Sequence, residues 1–138
     1  MSRAFVKEET FEAIQELPDK PISPHPNYVT PEGLKSLRQR FADYQARQAQ
    51  LSRREDLEAR QELMLIRREL RYLEQRLRSA IVVEPPPQAD RVHFGAWVEV
   101  VDAQGKHHAY RLVGEDEADA SKGYISWVSP LAQALLDA

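Results

Sequence analysis

Between Leu34 and Ala80 the apolar positions recur every 3.5 residues on average. Leu34, Leu37, Phe41, Tyr44, Gln48 and Leu51 follow one another at 3-4-3-4-3 spacing, and Leu63, Ile66, Leu70, Leu73, Leu77 and Ala80 repeat it. That period keeps one apolar seam turned toward a partner helix, the mark of a coiled coil. Two such series separated by a short polar stretch predict helices over residues 31–51 and 55–80, folded back as an antiparallel hairpin. Thr30-Pro31-Glu32 starts the first helix well: threonine suits the N-cap, proline the first turn, and glutamate the positive end of the dipole.

After Pro85-Pro86-Pro87 the period becomes two. Val92, Phe94, Ala96, Val98 and Val100 alternate with His93, Gly95, Trp97 and Glu99, which predicts a strand. A turn at 102–106, a strand at His108–Val113, an acidic loop from Gly114 to Gly123 and a strand at Tyr124–Val128 follow. Ser129-Pro130 then caps a helix over Leu131–Leu136. At the other end, Pro18, Pro21, Pro24 and Pro26 leave room for a short helix near Glu8–Glu16 and then an extended arm to Val29. The chain therefore divides into an arm (1–29), a hairpin (30–83), a linker (84–91) and a β-rich head (92–138).

Charge sharpens that division. The net charge of −3 comprises −2 over residues 1–30, +4 over 31–80 and −5 over 81–138. Nearly all the basic charge of the middle block is arginine, so a basic rod joined to an acidic head can meet two different surfaces, one of them nucleic acid. The plainer reading is a solvated hairpin laced with ion pairs. There is no cysteine, hence no disulfide framework or thiolate metal site. No apolar run approaches the ~20 residues of a membrane span, and no signal-peptide pattern opens the chain. A cytoplasmic protein is the expectation.

The hairpin tip, Ser52-Arg53-Arg54-Glu55-Asp56-Leu57-Glu58, concentrates carboxylates. Glu55, Asp56 and Glu58 are of the right type to help hold Mg²⁺, which prefers carboxylate and water oxygens. Equally, Ser52 and Glu55 have the spacing of a capping box, which leaves Asp56 and Glu58 unused. His107 and His108 are adjacent, so in a strand they face opposite ways and share no metal. Trp97 and Trp127 read as packing residues. The acidic loop Glu115-Asp116-Glu117-Ala118-Asp119 is either a binding loop or a solubilising one. No phosphate loop or nucleophile–base spacing marks a self-contained enzyme.

The stretch Val92–Leu136 resembles the C-terminal domain of the GreA/GreB transcript-cleavage factor family. The residues that carry this are Phe94-Gly95-Ala96-Trp97-Val98, Tyr110-Arg111-Leu112-Val113-Gly114-Glu115-Asp116-Glu117-Ala118-Asp119 and Ile125-Ser126-Trp127-Val128-Ser129-Pro130-Leu131-Ala132. Leu70-Arg71-Tyr72-Leu73 with Ile81-Val82-Val83, and Val29-Thr30-Pro31-Glu32-Gly33-Leu34, extend the likeness into the hairpin. The resemblance implies an α+β protein: a coiled-coil hairpin plus a small FKBP-like head. It implies RNA polymerase as partner, with the head docked at the secondary-channel entrance through Glu115, Asp116, Glu117, Asp119, Ser129 and Pro130. The tip acids Glu55, Asp56 and Glu58 would then help hold a Mg²⁺ and a water in the polymerase's own site, cleaving backtracked RNA. Arg53, Arg54 and Arg60 would face nascent RNA.

This chain departs from the family pattern in three respects. The family tip carries an Asp and a Glu three apart in a Gly-Asp-x-x-Glu-Asn-like context; here Glu55 and Glu58 keep the spacing without the flanks. The first helix is about three turns shorter, roughly 15 Å. The chain ends at Ala138, where the family continues with two more strands, so a head without those strands is expected. Alternatives are a channel-occupying regulator without cleavage activity, a coiled-coil interaction protein, and an FKBP-like prolyl isomerase, the last resting on fold analogy alone.

Overall fold

The computed structural model describes residues 16–87 and 90–136. The short helix expected near Glu8–Glu16 lies, but for Glu16 itself, outside the described residues. In chain order the elements are β1 (Tyr28–Val29), α1 (Pro31–Leu51), α2 (Leu57–Ser79), β2 (Ile81–Val82), β3 (Trp97–Val101), β4 (His107–Val113), β5 (Tyr124–Ser126) and α3 (Pro130–Leu136). The class is α+β, as expected. The described residues fall into two compact units: 16–22 with 39–75, and 23–38 with 76–136.

The first unit holds the tip-side part of the hairpin, residues 39–75, with the arm residues 16–22. Leu51, Ala59, Leu63 and Ile66 form its buried core, with Tyr44 and Leu70 packed against it. Only residues 52–56 connect the helices, so they run antiparallel. Across the hairpin, Arg47 donates through Nε and Nη2 to the Glu62 carboxylate at 2.7 and 2.9 Å. Within this unit the seam residues Leu51, Leu63, Ile66 and Leu73 are buried. The seam read from spacing is the seam that is buried.

The second unit holds two sheets. β1 and β2 pair in parallel, Tyr28 opposite Ile81 and Val29 opposite Val82. The arm thus ends as a strand. The other sheet has the order β3-β4-β5, antiparallel between β3 and β4 and parallel between β4 and β5. Val29, Leu112, Val113 and Ala132 are buried here. Thr30 caps α1 as expected, its hydroxyl accepting from Gly33 N–H at 2.9 Å. Ser129 caps α3 through Ala132 N–H at 3.2 Å.

Three expectations need correction. The strand expected from Val92 starts only at Trp97, because Gly95 turns the chain with φ +85°, outside the strand region. The third strand stops at Ser126, where Trp127–Val128 turn into the α3 cap. Trp97 is not a buried packing residue: it is 56% exposed on edge strand β3 and touches Tyr124 only edge-on. Trp127 does pack, its ring 5.1 Å from that of Tyr28.

Candidate functional site

The hairpin tip is built from the end of one helix and the start of the next. After Leu51, the Ser52 hydroxyl donates to Gln48 O at 2.7 Å, so it closes α1 rather than opening α2. The cap of α2 is Asp56. Its carboxylate accepts from Ala59 N–H at 3.2 Å, and its carbonyl accepts the first helical bond from Arg60. Arg54 forks onto the same carboxylate at 2.9 and 2.8 Å. The capping box read between Ser52 and Glu55 is therefore not formed. Asp56 captures the first-turn amide, the helix begins at Leu57, and Glu55 is left in the connecting turn. Glu55 and Glu58 consequently do not share one helical turn.

This changes the standing of the three acids. Asp56 is held by an arginine and a backbone amide, and the Arg54 hydrogen bond, seconded by the Ala59 amide, pulls its carboxyl down to about 2 from 3.8. Glu55 and Glu58 are exposed and make no hydrogen bond or ion pair among the described residues, though Glu58 is near enough to favour the Arg54 charge. Among the described residues no group of three His, Asp or Glu side chains is arranged to hold a metal. The tip presents two free carboxylates, a set that fits a metal only when other ligands come from elsewhere. Arg53 and Arg60 are likewise exposed, whereas Arg54 is occupied by Asp56.

A pH effect follows. The folded pKa of Asp56 lies below its ordinary value, so its contribution is complete above about 3.8 and is lost as pH falls through about 2. The protection of the Ala59 amide, measured against its intrinsic exchange rate at each pH, is expected to hold at pH 5 and to be lost on acidification toward 2. The Asp56→Ala variant should show the fast limit throughout.

The acidic loop of the head is no open loop. Glu115–Glu117 and Ala120–Lys122 form two 3₁₀ turns, and most of the carboxylates point at partners within the second unit. Arg76, with a side chain only 2% exposed, donates through Nε to Asp116 Oδ2 at 2.6 Å and through Nη2 to Asn27 Oδ1 at 2.7 Å. Glu115 stands 3.7 Å from the same guanidinium. Asn27 returns the contact, donating to Arg76 O at 2.8 Å and to Ser79 Oγ at 3.1 Å. Glu117 accepts from the backbone N–H of Thr30 at 3.0 Å and of Gly114 at 2.9 Å, and from the Thr30 hydroxyl. Asp119 caps the second turn through Ser121 N–H at 3.0 Å.

The chain needs glycine at Gly114, because a Cβ there would stand 2.3 Å from Tyr28 O. At Gly33 a Cβ would fall 2.1 Å from the Glu117 carboxyl carbon. Sequence reasoning missed Arg76, Asn27 and Gly33. A signal existed for the first: Arg76 lies three residues after Leu73 and one before Leu77, beside an apolar seam where a charge needs a partner.

Pro130 and, at 42%, Leu131 are exposed after the Ser129 cap, and Ala118, Ala120, Ser121 and Lys122 are exposed in the loop itself. The histidines serve locally: His108 Nε2 lies 2.9 Å from Asp102 Oδ2 and its ring stacks on Tyr110. No helix among the described residues is long and apolar enough to cross a membrane.

Comparison with known proteins places these features in a family. Residues 87–138 match the family described as transcription elongation factor, GreA/GreB, C-term. The chain is 32% identical over 129 residues to transcription elongation factor GreB of Neisseria meningitidis serogroup A, covering 81% of this chain and 79% of that protein. It is 52% identical over 73 residues to GreB of Xanthomonas axonopodis pv. citri, a match spanning 51% of this chain and 44% of that one. The crystal structure of GreA factor homolog 1 (Gfh1) of Thermus thermophilus is similar at 25% identity and a TM-score of 0.41, over 81% of this chain and 83% of that one. The chain belongs to the GreA/GreB family of transcription elongation factors.

Proposed function

We propose that this protein binds RNA polymerase at its secondary channel and stimulates cleavage of backtracked RNA by the polymerase's own active site. The carrying observation is the tip: Glu55 in the connecting turn and Glu58 in the first turn of α2 stand exposed, without a hydrogen bond or ion pair, on a hairpin braced by Arg47 and Glu62. A Mg²⁺ shared with the polymerase supplies Lewis acidity and an activated water. Glu55 and Glu58 supply ionised oxygens on a braced support. Asp56 keeps that support rigid by capping α2, while Arg53 and Arg60 carry charge suited to RNA phosphates. In this reading the chain has no catalytic centre of its own, and it works in the cytoplasm.

The reading of the docking surface changes with the geometry. Asp116, Glu117 and Asp119 shape the head, and contact with polymerase falls to Ser129, Pro130 and Leu131. Reversing Asp116 to arginine is then expected to weaken polymerase binding by deforming the head. The defect should come with a lower unfolding midpoint and should not be recovered by changing salt. Replacing Pro130 and Leu131 by serine should weaken binding with the midpoint unchanged. Pull-down on purified polymerase alongside urea unfolding checks both. An Asp116→Arg protein of normal stability whose binding depends steeply on salt would return the contact to the acidic loop.

A channel-occupying regulator without cleavage activity is the second reading, favoured by the shorter first helix. The two part company in the cleavage reaction itself.

A further inference from the structure

The outer edge of β3 is open. In the ladder to β4, Leu112 N–H donates to Ala96 O at 3.2 Å and Asp102 N–H donates to Lys106 O at 2.9 Å. These bonds bracket the Trp97–Arg111 and Val101–His107 pairs, which are therefore the non-hydrogen-bonded kind. Val98 and Val100 spend their backbone groups on β4, while the N–H and C=O of Trp97, Glu99 and Val101 point away from it. Among the described residues no strand pairs with that side of β3, and those groups make no hydrogen bond. Their side chains are exposed too, Trp97 by 56% and Val101 by 59%.

Strand edges are commonly blunted by proline, lysine or a covering element. Trp97-Val98-Glu99-Val100-Val101 has no proline and no basic residue, and every position but Glu99 favours a strand. Glu99 is the one restraint, and it selects a register.

An antiparallel copy sets each side chain opposite one from the same face, so the two-fold axis passes through a residue. An axis at Glu99 would bring two carboxylates face to face, which is destabilising. One at Val100 or Val101 would set Asp102 against a valine. One at Trp97 would set Glu99 against Gly95, whose N–H is already given to Leu112 O at 2.7 Å. An axis at Val98 has none of these faults. Val98 meets Val98, Ala96 meets Val100, and Trp97 lies beside Glu99, its indole on the aliphatic part of that side chain. Trp97 and Glu99 then exchange backbone hydrogen bonds with the copy, using the groups that already face outward.

We propose that β3 pairs with β3 of a second copy of this chain, antiparallel about Val98, so that two heads share one continuous sheet. The strand is short and the interface small, so the dimer belongs to the weak, concentration-dependent class. Residues 81–138 carry a net charge of −5, so two heads repel at low ionic strength and associate more tightly as salt screens them.

The chain has no cysteine, so a single one can be introduced into the whole protein. Val98 and its copy form a non-hydrogen-bonded pair with Cα atoms about 4.5 Å apart, within the span of a disulfide. Val100 and its copy are offset by roughly 13 Å along the strand, beyond that span. With glutathione disulfide as oxidant, Val98→Cys is expected to form covalent dimer about ten-fold faster than Val100→Cys. In sedimentation velocity the mass of the wild type should rise with concentration, and more steeply at moderate than at low salt. Trp97→Lys, shown to be folded by a normal urea midpoint, should stay monomeric and slow the Val98→Cys cross-link to the Val100→Cys rate. Equal cross-linking of the two cysteines overturns the proposal, as does a wild type that stays monomeric up to millimolar concentration. Association that salt dissolves and Trp97→Lys leaves intact also overturns it, and assigns the contact to the basic hairpin of one copy on the acidic head of another.

Discussion

Replacing Arg76 by alanine is expected to destabilise the head by about 3–5 kcal/mol, the cost of leaving a buried charge without its partner. The guanidinium is nearly sealed from solvent and serves Asp116 and Asn27 at once, while the Asp116 side chain is only 8% exposed. Without Arg76, that carboxylate and the Asn27 amide oxygen remain behind, and β1 loses a tie to the end of α2. Both tryptophans, Trp97 and Trp127, belong to the head, so urea unfolding followed by intrinsic fluorescence reports on this unit. Helical circular dichroism weights the hairpin, which should hold to higher denaturant. Pairing Arg76→Met with Asp116→Leu removes both charges and should recover part of the loss, because an apolar pair needs no counter-charge. A fluorescence midpoint unchanged in Arg76→Ala would mean that the inward-turned loop is not what holds the head.

Removing the free tip carboxylates is expected to leave polymerase binding intact and to reduce stimulated cleavage by roughly 10–100-fold each for Glu55→Ala and Glu58→Ala, the usual scale for groups that steer a metal-bound water. Asp56 should behave differently. Asn is as good a cap as Asp, so Asp56→Asn should retain most of the cleavage, whereas Asp56→Ala frays the start of α2 and weakens cleavage through loss of rigidity. Binding and cleavage measured on the same set of variants separate these roles. Loss of cleavage in Asp56→Asn, with Glu55→Ala and Glu58→Ala fully active, would move the metal-steering role to Asp56.

The helices were legible because their signal is long. Twelve seam positions repeat one period, and the expected bounds 31–51 and 55–80 meet the observed Pro31–Leu51 and Leu57–Ser79. Capping chemistry was legible at Thr30 and Ser129, each followed by proline. It was misread at the tip, where two caps compete: Ser52 has the spacing for a capping box, but Asp56 is better placed once Arg54 folds onto it. The parallel pair β1–β2 left no trace, since two residues have no period and the partners are 53 residues apart in the chain. Alternation from Val92 to Ala96 imitated a strand until Gly95 turned the chain. The acidic loop was legible as acidic but not as inward-facing, because its partners Arg76 and Thr30 lie far upstream, and charge composition alone does not say which carboxylates find a buried cation.

The central claim is that this protein lends a braced, acidic hairpin tip to the active site of RNA polymerase. It is tested most directly with purified polymerase stalled in a backtracked elongation complex, with end-labelled RNA and Mg²⁺. The account predicts rapid release of short 3′ RNA fragments when the protein is added, none from the protein and RNA without polymerase, and none after chelation of the metal. Tight binding to the stalled complex with no acceleration of cleavage at any protein concentration would contradict it and leave the channel-occupying regulator as the account of this chain.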